Sequence, residues 1–117
     1  MTGKALSVYI TDTYGRTGEQ LFGRYPEFSV FRHGGSGKWF AVIMEIPEKY
    51  LGLPGDRRVT VVNLKCDTRL IAAFREEPGI FPGWHMNKAH WLSVMPEGAE
   101  EEKLKFLLEM SYNLTKK

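Results

Sequence analysis

The residues here that could carry chemistry are two histidines, one cysteine, a glycine-rich turn beside a lysine, and a basic stretch interleaved with tryptophans. His85 and His90 stand five apart, with Cys66 and Asp67 upstream, and all four are metal-ligand types. A structural zinc site takes four ligands, commonly as closely spaced pairs. This chain has a single cysteine, no His-Glu-x-x-His, and neither the His-x-Glu nor the Pro-Cys-x-x-Cys of zinc deaminases. No metal site is expected, and the histidines read as bonding to backbone groups around a turn. Gly34-Gly35-Ser36-Gly37-Lys38 invites a phosphate-loop reading but fails on spacing. The position five before Gly37 is Arg32, and Trp39 follows Lys38 where a serine or threonine is required. A hairpin turn, where small residues accept positive φ, is the simpler reading.

Cys66 beside Lys65 could be a nucleophile given a histidine partner. Alternation along Val62, Leu64 and Cys66 places it inward instead, as a small apolar residue. Glu100, Glu101 and Glu102 read as a solvated helix start, favoured by the helix dipole, rather than as an acidic site. No nucleophile–base pair or cofactor motif is legible, so neither enzymatic activity nor a cofactor is expected.

The informative stretch runs from Arg57 to His90. It holds six basic residues (Arg57, Arg58, Lys65, Arg69, Arg75, Lys88) against three acidic ones (Asp67, Glu76, Glu77), while residues 1–56 are neutral and 91–117 carry −1. Trp84, Asn87, His90 and Trp91 lie within or beside it. Lysine and arginine can neutralise phosphates, asparagine can pair with adenine, and aromatic faces can stack on bases. On composition alone the same residues make a solvated basic face over two core tryptophans.

These side chains need a scaffold, and the pattern supplies one. Leu6, Ile10 and Tyr14, four apart, predict a helix over Ala5–Tyr14 ended by Gly15. Arg16–Pro26 lacks periodicity and reads as a loop. Strands follow at Phe28–His33 and Lys38–Ile46, joined by the glycine turn, and at Arg58–Lys65 after the Leu53–Asp56 turn. Val61 and Val62 are adjacent, which requires either a bulge or burial on both faces. Asp67 is placed to cap a short helix through Glu77, with Leu70, Ile71 and Phe74 inward. Two short strands are expected near Trp84–Asn87 and His90–Met95, then a helix over Ala99–Thr115 with Leu104, Leu107, Leu108 and Ser111 on one face. The order predicts a single α+β domain over residues 1–117, an antiparallel sheet with terminal helices on one face and a short inserted helix.

Bulk properties agree. Hydrophobic residues are 43%, charged residues 26% and the net charge +2, which excludes disorder, collagen-like repeats and a histone-like polycation. One cysteine forbids an internal disulfide and suits a reducing compartment. The start Met1-Thr2-Gly3-Lys4 has no signal-peptide core, and the longest apolar run, Trp39–Met44, is six residues. A cytoplasmic protein without membrane attachment is expected.

Several segments are more specific. Tyr25-Pro26 through Val30-Phe31-Arg32, Lys38-Trp39-Phe40-Ala41, Asn63-Leu64-Lys65-Cys66-Asp67 and Ser111-Tyr112-Asn113-Leu114 resemble the MmcQ/YjbR family of small bacterial proteins. The strongest match is Pro82-Gly83-Trp84-His85-Met86-Asn87-Lys88-Ala89-His90-Trp91. Thr68 and Trp84 depart from the proline and tyrosine of many relatives. The resemblance implies a CyaY-like fold and a DNA-binding role through a double-wing arrangement of hairpins. The iron handling of CyaY does not carry over, because the predicted first helix offers only Asp12. The nucleic-acid-binding residues expected are Lys65, Arg69, His85, Asn87, Lys88, His90 and Trp91. In that reading Lys65 and Lys88 hold phosphates of double-stranded DNA, Asn87 or His90 approaches base edges, and Trp91 supports the turn. A protein partner, or a small ligand held by the His85–Trp91 turn, is the alternative; a monomer is the expected state.

Overall fold

Thr2 opens the first helix, α1 (Gly3–Tyr14), its hydroxyl accepting the Ala5 N–H at 3.1 Å, and Gly15 closes it at φ 70° with its N–H on the Thr11 carbonyl. The computed structural model describes residues 1–25 and 28–117, so Pro26, at the end of the expected loop and in one resembling segment, lies outside the described residues. Among these residues five strands form one antiparallel sheet: β1 (Ser29–Arg32), β2 (Trp39–Pro47), β3 (Arg58–Lys65), β4 (Ile80–Pro82) and β5 (Trp91–Val94), in the order β1-β2-β3-β5-β4. A single 3-10 turn, Glu48–Leu51, follows β2; a short helix α2 (Ile71–Phe74) follows β3; and α3 (Glu101–Thr115) ends the chain.

The sheet is covered on both sides, but differently. Leu6 and Ile10 of α1 and Leu104, Leu107 and Leu108 of α3 pack on the side of Ile43, Val62, Leu64 and Leu92. The opposite, open side, with Val30, Val42, Met44, Val59 and Val61, has no α-helix side chain packed on it among the described residues; the loop residues Phe22, Phe28 and Trp84 and Trp39 at the start of β2 lie against it. Burial on two sides explains adjacent Val61 and Val62: their pairing with Met44 and Ile43 is unbroken, so no bulge is present. Ser111 locks α3 to the sheet, its hydroxyl donating to the Phe40 carbonyl at 2.6 Å and accepting the Lys65 N–H at 2.8 Å.

Three local expectations are corrected. The strand expected at Trp84–Asn87 is instead β4 at Ile80–Pro82, and Gly83–His90 is a folded loop. Ser93 Oγ takes the Trp84 N–H at 2.8 Å, and His85 has φ 59°, which ends any extended run. Asp67 does not cap α2. Its carboxylate accepts the Arg69 N–H at 2.9 Å in a tight turn, the chain turns once more, and the helix spans only Ile71–Phe74 rather than reaching Glu77. Leu70 consequently points outward and is 40% exposed.

Candidate functional site

Strand register brings distant parts of the chain to one end of the sheet. Arg32 pairs with Trp39 around the β1–β2 turn, Lys65 pairs with Trp91, and Pro82 pairs with Leu92. The two hairpin loops, 33–38 and 83–90, therefore flank the end of β3. The first is closed by the His33 N–H on the Lys38 carbonyl at 2.9 Å. The second is tied down three times: the Gly83 N–H donates to the Trp91 carbonyl at 3.1 Å, the Cys66 N–H to the His90 carbonyl at 2.8 Å, and the Arg75 guanidinium to the Lys88 carbonyl.

Of the seven residues expected to bind, Lys65, Asn87, Lys88, His90 and Trp91 come together at this end. Lys88 and His90 are exposed, and Lys65 and Trp91 are half-buried neighbours across β3 and β5. Among the described residues neither Lys65 nor Lys88 has a carboxylate in ion-pair range. Asn87 uses its side-chain oxygen to accept the Ala89 N–H at 2.9 Å, so only its amide nitrogen faces outward as a donor. Arg69 is nearby but occupied: two of its nitrogens grip Asp67 at 3.1 and 2.7 Å, and these bonds hold the Asp67 carboxyl down at about 2. His85 is set apart, stacked on Trp84 over the open side of the sheet.

Sequence reasoning missed three cations. Arg16 donates from Nε to the Arg32 carbonyl at 2.7 Å, and the charges of Arg16, Lys38 and Lys116 all bear on His33 beside the first hairpin loop. They lie in stretches with no positive excess, neutral for Arg16 and Lys38 and −1 for Lys116, so a count along the chain could not reveal them. His33 itself is buried between Phe40 and Tyr112, and its Nε2 meets the Thr115 hydroxyl at 2.9 Å. Burial, then these three positive charges, lower its pKa. Cys66 is buried as expected, and burial raises its thiol pKa, which removes it as a nucleophile at neutral pH.

The open side of the sheet carries the second notable cluster. Buried Asn63 donates to the Trp84 carbonyl at 3.0 Å and accepts from Ser93 Oγ at 2.5 Å, so both backbone groups of Trp84 are anchored to the sheet. Tyr50, Trp84 and His85 stack in sequence, each pair with planes 13° apart. Among the described residues no group of three or more metal-ligating side chains is assembled, and no helix is long and apolar enough to cross a membrane.

The chain as a whole is similar to known proteins. The chain is 32% identical over 117 residues to the uncharacterised protein YyaQ of Bacillus subtilis (strain 168), covering 99% of both. It is 40% identical over 91 residues to the uncharacterised protein YbdF of Escherichia coli O157:H7, spanning 76% of this chain and 65% of that one. A Pseudomonas syringae protein solved by crystallography superposes with a TM-score of 0.96 at 35% identity, covering 98% of this chain and 99% of the other. The Deinococcus radiodurans protein DR2400 shares the fold, with a TM-score of 0.70 at 23% identity over 97% of this chain and 77% of that one. The model of the YjbR family matches residues 12–114, and the chain belongs to that family.

Proposed function

We propose that this protein binds double-stranded DNA through the basic end of its sheet, where the two hairpin loops straddle the duplex backbone. The observation that carries the reading is the convergence of cations from five separate segments. Arg16, Lys38 and Lys116 gather at the β1–β2 loop, and Lys65 and Lys88 at the end of β3 and the β4–β5 loop. Paired loops of this kind are what a double-wing arrangement requires. Phosphate contacts supply most of the affinity of such a surface and orient it on the duplex. Base reading is weak in this account. The bidentate pairing of asparagine with adenine needs both side-chain atoms, and Asn87 spends its oxygen on the Ala89 N–H. His90 remains as the exposed side chain able to reach a base edge. The Arg69–Asp67 pair contributes little net charge, so Arg69 serves the turn more than the ligand.

With about four phosphates engaged, log affinity falls with log salt at a slope near −3.6. Replacing Lys65 and Lys88 together by alanine removes two contacts and flattens the slope to about −1.8. The check is fluorescence anisotropy of a labelled duplex across a salt series. A wild-type slope shallower than about −1, or an unchanged slope in the double variant, contradicts the reading.

A further inference from the structure

We propose that the outer side of α3 is a self-association surface, on which a second copy of this chain docks with its own α3 antiparallel to the first. The inner side of α3 is spent on the core through Leu104, Leu107, Leu108 and Ser111. A surface helix of this kind ordinarily turns polar residues outward. Here Phe106, Met110 and Leu114 follow at four-residue intervals, a spacing that sets them along one side of the helix over about 12 Å. Phe106 is 54% exposed and Leu114 46%, and Met110 between them is half-buried.

The row does not stand alone. Phe74 of α2 lies beside it, its ring centroid 6.3 Å from that of Phe106, and Glu77 meets Lys103 Nζ at 2.8 Å. These two contacts set the chain from Phe74 to Glu77 antiparallel to α3. The residues before Phe74 therefore continue toward the Met110 end, and Leu70 there is 40% exposed. Single apolar side chains scattered on a surface need no partner, but a contiguous strip is the signature of a contact surface. Aromatic residues and methionine are also the types that protein interfaces favour.

Charge selects a second copy as the occupant. Glu100, Glu101 and Glu102 stand at the start of α3, and Lys116 and Lys117 follow its last residue. A parallel copy would set like ends together, whereas an antiparallel copy sets each acidic start against the other's basic end. The register follows from position. Glu102 stands eight residues before Met110 and Lys117 seven after it. A two-fold axis at Met110 therefore brings Phe106 of one copy opposite Leu114 of the other, and Glu102 opposite Lys117. Among the described residues neither Glu102 nor Lys117 forms an ion pair within its own chain. A strip this short builds a small interface, so the dimer is weak, with a Kd between about 10 µM and 1 mM. None of Lys38, Lys65 and Lys88 takes part, so the contact stands or fails independently of duplex binding.

The test is sedimentation equilibrium of the full chain without DNA, from about 10 µM to about 1 mM, at about 50 mM salt. A reversible rise from the mass of one chain toward that of two is expected. Phe106→Glu weakens association by about tenfold or more. Its circular dichroism stays that of the folded chain, because more than half of the Phe106 side chain is already in solvent. Glu102→Lys also weakens association, and Glu102→Lys combined with Lys117→Glu restores it, since the charges are exchanged in both copies. A folding defect would not be rescued in that way. The mass of one chain throughout the range overturns the proposal. So do assembly beyond two copies, association unaffected by Phe106→Glu, and a charge exchange that fails to restore it.

Discussion

At the scale of single residues, buried polar groups make the sharpest predictions. The Thr115 hydroxyl donates its one proton to the Ser111 carbonyl at 2.7 Å, so His33 Nε2 is the donor to Thr115, while burial of the ring disfavours its charged form. A histidine whose folded pKa lies below its ordinary 6.5 takes up a proton more readily when unfolded. Its contribution to stability is complete above about 6.5 and is lost as pH falls from there through the lower folded value. Asp67, at about 2, and Glu19, lowered by its Arg32 partner, lose their contributions only at more acidic pH. Urea unfolding is expected to give a lower midpoint at about pH 5.5 than at about pH 7.5, with the difference abolished in His33→Phe. Asn63→Ala strips the buried network beneath Trp84 and is expected to cost about 1–3 kcal/mol, read from the same unfolding curves, with faster exchange at the Trp84 amide. The inward placement of Cys66 was legible from simple alternation. The role of Asn63 was not: its position on the opposite side from Leu64 was plain, but its partners are a serine and a backbone carbonyl far along the chain.

Elements were legible where one side of a helix or a simple hairpin pattern dominates. Helices α1 and α3 and the β1–β2 hairpin lie close to where periodicity and glycine placement put them. The region between β3 and β5 was harder, because its geometry comes from contacts that periodicity does not encode. Gly79 shows this well. Its φ is 77°, and a methyl group there would meet the backbone of Gly98 at 2.5 Å, so β4 begins at a backbone-to-backbone approach. Gly83 is similarly enclosed, with a methyl group falling 2.8 Å from Trp91 Cβ. Gly79→Ala is expected to destabilise by at least about 1 kcal/mol through strain alone, with overpacking adding about 1–3 kcal/mol. Calorimetry then shows a lower melting temperature for Gly79→Ala and no comparable loss for Gly35→Ala, whose added methyl group meets nothing within 4 Å. Equal effects at both positions would mean that the close approach at Gly79 is unimportant. The 3-10 turn carrying Tyr50 had no sequence signal beyond the residues preceding a Leu-Pro-Gly turn.

For the whole molecule, the charge of +2 conceals an uneven distribution in space. Counting along the chain located Lys65 and Lys88 but not Arg16, Lys38 and Lys116, which antiparallel pairing and the docking of α3 bring to the same end. Both terminal helices cover one side of the sheet, which leaves the two hairpin loops and the aromatic stack on the open side as separate surfaces. The most direct test of the central claim is an amide NMR titration with duplex DNA, at about 50 mM and again at about 200 mM salt, a range over which phosphate contacts weaken steeply. The prediction is that shifts cluster on Lys38, Lys65, Lys88 and His90 at low salt and fade at high salt, with Tyr50 and the Trp84 indole little changed. An unchanged spectrum at high protein and duplex concentration would contradict duplex binding, and shifts confined to residues away from both hairpin loops would contradict this placement of it.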